Sequence, residues 1–312
     1  MYSRGWGSTV KYDTSDATLT VTFRNGNVYQ ISYNLGGTIC SDESHTYAAG
    51  STVGTIGCDH TIILPREGYE VVWYADSGFE NKPSLPFTIN EDRIFYGRYE
   101  KKIVKSTAYA YYETADHPEI DGVTYIYITE DDLEAFGEDI SVSTNVETVD
   151  FTDEVGNIRE VELLEKVYTY DGNVIMVSRE IPSLTFTELE AGLDLFDPVP
   201  GLRYDNANSR NILKGYVQQE GIDFTAYFVR SRYTLTVDKN MENTDPETAD
   251  YRVGQHVTVA SPERNGYTFA GWNWKIFDAE QDGYVNWTGA PAFTEGDEEV
   301  SFPMPEGKVK MT

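Results

Sequence analysis

Apolar and polar residues alternate in short runs along most of this chain, which is the period-two pattern of half-buried strands. Such runs are "ATLTVTF" (17–23), "VYQISYNL" (28–35), "VTYIYIT" (123–129), "NVIMVSR" (173–179), "FTAYFVR" (224–230), "YTLTVD" (233–238) and "HVTVA" (256–260). Asn25-Gly26 and Asp171-Gly172 supply tight-turn chemistry between strands. A helical period is scarce: "EDDLEAFGED" (130–139) and "FTELEAGLDLF" (186–196) could each hold a few turns. The expected fold class is mainly β with little helix.

One run breaks its own alternation. In "NGYTFAGW" (265–272), Tyr267 and Phe269 share a parity that puts Gly271 on their face and Trp272 on the other. A β-bulge at Gly271 would add one residue and return Trp272 to the side of Tyr267 and Phe269. In "GYEVVWY" (68–74), Tyr69, Val71 and Trp73 already share parity, so no bulge is needed.

These two runs belong to a longer internal repeat. Its order is a strand, a polar loop, a Gly-containing strand ("STVGTI", "YRVGQHVTV"), Pro, Gly-Tyr, Trp and a last strand. Two modules, about 28–102 and 232–312, therefore flank a β-rich middle domain, 103–231, which lacks the signature. Residues 1–27 read as closing strands of a preceding module or as an exchanged strand, and the chain as an excerpt of something longer. The motif residues expected to build the module cores are Gly68, Tyr69 and Trp73 in the first, and Gly266, Tyr267, Phe269, Gly271 and Trp272 in the last.

On "YQISYNLGG", "LPREGYEVVWY" and "DRIFYGRYEKK" in the first module, and "SPERNGYTFAGW" and "SFPMPEGKVKMT" in the last, the modules resemble the Listeria–Bacteroides repeat family. These internalin B-type repeats are small β-grasp-like modules, found in tandem on bacterial surface proteins. The first module departs from the pattern: Val71 stands where the family has Phe, and the second Gly is missing. The resemblance implies tandem β-grasp-like modules and a cell-surface setting.

Charge narrows the partners. There are 52 Asp plus Glu against 24 Lys plus Arg, a formal charge of −28. That surface repels phosphate backbones and anionic membranes, so nucleic acid is excluded as a partner. No apolar run is long enough to cross a bilayer as a helix, so no membrane insertion is expected. The residues after Met1 lack the apolar core of a signal peptide, so an export signal has been removed or the chain is part of a longer one. Cys40 and Cys58, the two cysteines, are expected to pair, as suits an exported protein.

Catalytic patterns are weak. His45, His60, His117 and His256 are scattered without metal-ligand spacing, and Cys58 with His60 would lie on one strand or loop. Carboxylate groups such as "DTSD" (13–16), "EDD" (130–132) and "GDEE" (296–299) read as solvated surface, because spacing alone cannot build a glycosidase pair. The loop "DKNMENTDPETAD" (238–250) offers oxygen ligands of the kind a structural Ca²⁺ takes, against the simpler reading of a plain acidic loop. Lys105 or Lys166 with Asn211 could be imagined as an isopeptide pair, although no spacing singles them out. Most tyrosines read as strand residues, with an exposed subset available for stacking on a glycan.

The expectation is a non-catalytic segment of a bacterial cell-surface or secreted repeat protein, a stalk, spacer or adhesive module without a cofactor. It would be extracellular or attached to the cell wall. Its partners would be a host or neighbouring-cell surface protein or glycan, or other copies of itself. The alternatives are a subunit of an extracellular β-strand-exchanged filament and, after that, a secreted carbohydrate-active enzyme with the middle domain catalytic.

Overall fold

The computed structural model describes residues 26–41, 45–58, 62–205, 212–242 and 244–312, without the side chains of 193, 212 and 213. The run at 17–23, the rest of 1–25, His60 and Asn211 lie outside the described residues. The fold is mainly β, with several separate sheets and one short α-helix, Leu133–Phe136. By contact the described residues divide into two compact units, one drawn from those up to 65 and from 71–99, the other from 66–70 and from those in 100–312.

In the first unit, the strand Val28–Leu35 buries Ile31, Tyr33 and Leu35 on one face, as its alternation dictates. Gly36 and Gly37, both with positive φ, turn the chain back into Thr38–Cys40. The opening strand also pairs in parallel with the closing strand Arg93–Lys101, beside which lies Tyr69–Tyr74. The core collects Ile31, Tyr33, Trp73, Ile89 and Phe95. Cys40 and Cys58 are buried in it and joined by a disulfide, with Cα atoms 6.8 Å apart.

The second unit contains a six-stranded sheet in the order Ile140–Thr152, Ile158–Tyr170, Asn173–Leu184, Ile103–Tyr112, Asp223–Arg230, Leu202–Tyr204. Only Ile103–Tyr112 and Asp223–Arg230 run parallel; the other pairs are antiparallel. Asp171 and Gly172, with φ of 46° and 70°, form the two-residue turn between Ile158–Tyr170 and Asn173–Leu184.

The last 80 or so residues repeat the strand plan of the first module. Arg232–Val237 pairs antiparallel with Glu247–Arg252 on one side and parallel with the closing strand Val309–Met311 on the other. Trp274–Asp278 lies beyond the closing strand, as Tyr69–Tyr74 does in the first module. Each module also carries a small two-stranded sheet, Thr52–Val53 with Phe87–Thr88 and His256–Ala260 with Glu299–Pro303.

Three local expectations are corrected. The segment 186–196 is not helical at its start: Thr187–Gly192 is a strand paired with Ile212–Val217, and only Leu193–Leu195 forms a helical turn. Phe186 has a positive φ of 57°, which reverses the chain after Leu184, and Leu189 and Ala191 then alternate inward. In 123–129 only Val123–Thr124 is strand; beyond it the main chain makes isolated bonds rather than a continuous ladder. The Tyr125 N–H donates to the Pro118 carbonyl and the Thr114 N–H to the Ile126 carbonyl, the Thr114 hydroxyl also donating to the Tyr125 and Ile126 carbonyls. The third is "NGYTFAGW", which is irregular backbone rather than a bulged strand, the strand starting at Trp274. Gly271, at φ 136°, redirects the chain so that Phe269 and Trp272 meet edge to face at 4.9 Å in the module core, while Tyr267 is left outside.

Candidate functional site

The Gly-Tyr signature is a turn with an arginine in it. In Arg66-Glu67-Gly68-Tyr69 the Tyr69 N–H donates to the Arg66 carbonyl (3.0 Å), and Gly68 has φ 71°. Arg264-Asn265-Gly266-Tyr267 repeats this, with the same 3.0 Å bond and φ 79° at Gly266. Positive φ at the third position is the type II requirement and explains both glycines. In each turn the arginine lies over the tyrosine ring, 3.8 Å from the centroid at Tyr69 and 4.5 Å at Tyr267. Such cation–π contact ties the ring to the guanidinium.

The two platforms differ in what they carry. Tyr69 stacks on Phe186 at 5.5 Å, with the ring planes 26° apart. A side chain at Gly68 would overlap that Phe186 ring, and the Gly68 carbonyl accepts from the Thr185 hydroxyl and the Lys102 N–H. Gly68 and Tyr69 thus pack with the second unit, whereas Trp73 packs edge-on to Tyr33 at 4.9 Å in the first. Tyr267 is 69% exposed. It lines a cavity of about 270 Å³ with Phe269, Gly271, Trp272, Asp238 and Asn240. The Trp272 indole Nε1 is buried without a hydrogen-bond partner among the described residues. A buried donor left unpaired is costly.

Charged side chains elsewhere are organised into pairs. Arg159 is held by Glu70, Glu100 (2.9 Å) and Asp153 (3.4 Å), and Glu100 is 2% exposed. Buried Glu113 accepts from the Arg230 N–H at 2.7 Å and contacts His117 Nε2 at 2.9 Å, while Arg230 Nε donates to the Glu113 carbonyl. Burial lowers the His117 pKa, opposed by Glu113. Sequence reading missed these networks because their members lie up to 117 residues apart.

Asp116, Asp171 and His256 bring one potential metal-ligand atom each within 4.8 Å, all three exposed. His256 Nδ1 and its backbone N–H both bond Asp116 (2.6 and 2.7 Å), and this hydrogen bond raises the imidazole pKa. The acidic loop 238–250 is part strand, Glu247–Arg252, and two of its carboxylates serve local bonds: Asp238 accepts from the Asn240 N–H and Asp250 from the Thr234 hydroxyl. His45 is buried edge-on to Tyr33 at 4.9 Å. Lys105 pairs with Glu180 at 2.8 Å. The tyrosines Tyr109, Tyr111 and Tyr227 form a ladder with centroids 5.5–6.0 Å apart. Burial pushes the Tyr111 phenol up to about 12.

Comparison with protein families, with curated proteins and with solved structures found no match for this chain. Among the described residues, no helix is long and apolar enough to cross a membrane.

Proposed function

We propose that the chain is a non-catalytic segment of a bacterial cell-surface or secreted repeat protein, a spacer whose last module carries an adhesive surface at Tyr267. The repeated strand plan, the disulfide and the acidic surface all fit modules in series outside the cell. The Listeria–Bacteroides resemblance of 28–102 and 232–312 supports the same reading. The buried carboxylates of Glu100 and Asp153 pair with Arg159, and that of Glu113 accepts from the Arg230 main-chain N–H and lies 3.8 Å from Arg252 Nε, which is a structural use of such groups.

The observation that carries the adhesive surface is the contrast between two equivalent platforms. The arginine-backed Tyr69 holds the ring of Phe186, an aromatic side chain on a tight chain reversal; the arginine-backed Tyr267 holds nothing among the described residues and faces a cavity. The partner is therefore a protein surface presenting an aromatic side chain on a turn. Stacking on that ring would supply affinity.

The test is a titration of the chain with a cyclic hairpin peptide copying residues 181–190, followed through the Trp272 indole N–H by NMR, with Trp272→Phe to assign the signal. That signal should move on binding, and Tyr267→Ala should weaken binding tenfold or more, about 1.4 kcal/mol. If neutral monosaccharides move the signal and the peptide does not, the partner is a glycan and the protein reading is wrong.

A further inference from the structure

The strand Ile140–Thr152 ends the six-stranded sheet, and among the described residues nothing pairs with its outer edge. It is 13 residues long and pairs with Ile158–Tyr170 on its inner side without a register break. Residues 141–148 are exposed throughout. Edge strands of this length are ordinarily protected by Lys, Pro, a bulge or a covering segment. "ISVSTNVETVDFT" contains no Pro, Lys or Arg, and its pairing contains no bulge. One face carries Ile140, Val142, Thr144, Val146 and Thr148, β-branched at every position, with Val142 51% and Val146 56% exposed. The other face carries Ser141, Ser143, Asn145 and Glu147.

We infer that this edge is an interface for a second copy of the same chain, joined antiparallel about a two-fold axis at Thr144. Two-fold symmetry normal to the sheet restricts the register to a residue facing itself, because face parity must be kept. With Thr144 opposite its own copy, Val142 meets Val146 twice and Ile140 meets Thr148. On the other face Ser141 meets Glu147 and Ser143 meets Asn145. The edge is thus self-complementary: β-branched side chains pair with one another, and the carboxylate of Glu147 faces a hydroxyl. Asp150 falls outside the overlap of 140–148. The contact gains the main-chain hydrogen bonds of an added strand. It is isologous, so it closes at two copies and does not propagate into a fibre. Opposing it is the formal charge of −28 on each chain, a repulsion that salt screens.

The experiment is sedimentation equilibrium of the whole chain at about 0.02 and 0.5 M NaCl, where screening lengths differ several-fold, together with two kinds of variant. A monomer–dimer equilibrium that tightens with salt is expected. Thr144→Lys should weaken it tenfold or more by placing like charges directly opposite, although it lowers the net negative charge. Both native cysteines are in the disulfide, so an introduced cysteine is the sole free thiol. Opposed residues in an antiparallel pair lie about 4.5–5.5 Å apart at Cα, within disulfide reach. Under mild oxidation Thr144→Cys should therefore cross-link into a covalent dimer, while Asn145→Cys, opposite Ser143, should not. A monomer at every concentration and salt, an open polymer, or Thr144→Cys cross-linking no faster than Asn145→Cys would each overturn the inference.

Discussion

Single residues explain the repeat better than strand patterns do. Arg66 and Arg264 each stand three positions before a tyrosine, and both turns need a left-handed glycine between. At the same scale, His117 makes stability depend on pH. Burial depresses the His117 pKa below its ordinary value of 6.5, so the unfolded chain binds the proton more readily. The contribution is complete above that ordinary value and is lost as pH falls from it towards the depressed folded value. His256, raised by Asp116, acts in the opposite sense but is too exposed to count for much. Thermal midpoints should therefore fall on acidification below about pH 6.5, and His117→Asn should flatten that slope. Asn suits the substitution because it tolerates the φ of 50° found there and does not titrate. An unchanged slope in the variant would assign the acid sensitivity to carboxylates instead.

At the scale of elements, alternation located the strands at 28–35, 173–179, 224–230, 233–238 and 256–260, and Asp171-Gly172 marked a hairpin that the structure contains. The helical turns at 130–139 were legible from their period, and in the structure Thr129 and Asp132 cap them. Where strands meet closely, the sequence shows only a glycine. Gly221 brings the chain into the parallel pairing of Asp223–Arg230 with Ile103–Tyr112, and a Cβ there would overlap the Lys105 carbonyl oxygen. The Ile222 carbonyl accepts from the Thr107 N–H beside it, so neither strand can move aside without losing that bond. Gly221→Ala should destabilise the second unit by about 1–3 kcal/mol, read as a lower denaturant midpoint. A midpoint equal to that of the parent would show that the loop relaxes freely.

At the scale of the molecule, each compact unit has a core of its own, and the disulfide lies in that of the first. It closes a loop of 18 residues, which by chain entropy contributes about 3 kcal/mol. Reductant should therefore lower one calorimetric transition by that amount and leave the transition of residues 100–312 in place. A shift of both transitions together would mean that the two cores unfold as one.

The sequence by itself determined the β class, the strands whose alternation is complete, the disulfide pair and the acidic surface, because each depends on local periodicity or on composition. It also showed the repeat, through residues spaced alike in 28–102 and 232–312. Tertiary structure decided the fate of segments whose local signals conflict. "FTELE" has a helical composition, yet Phe186 reverses the chain and Thr187–Gly192 finds a partner strand 20 or more residues on. "NGYTFAGW" alternates like a strand, yet Phe269 and Trp272 gain more by entering the core than a ladder would return. The same competition covers one arginine-backed tyrosine with Phe186 and leaves the other open, and no local pattern encodes that difference. Burial against distant residues outweighs intrinsic preference, and sequence separation hides it.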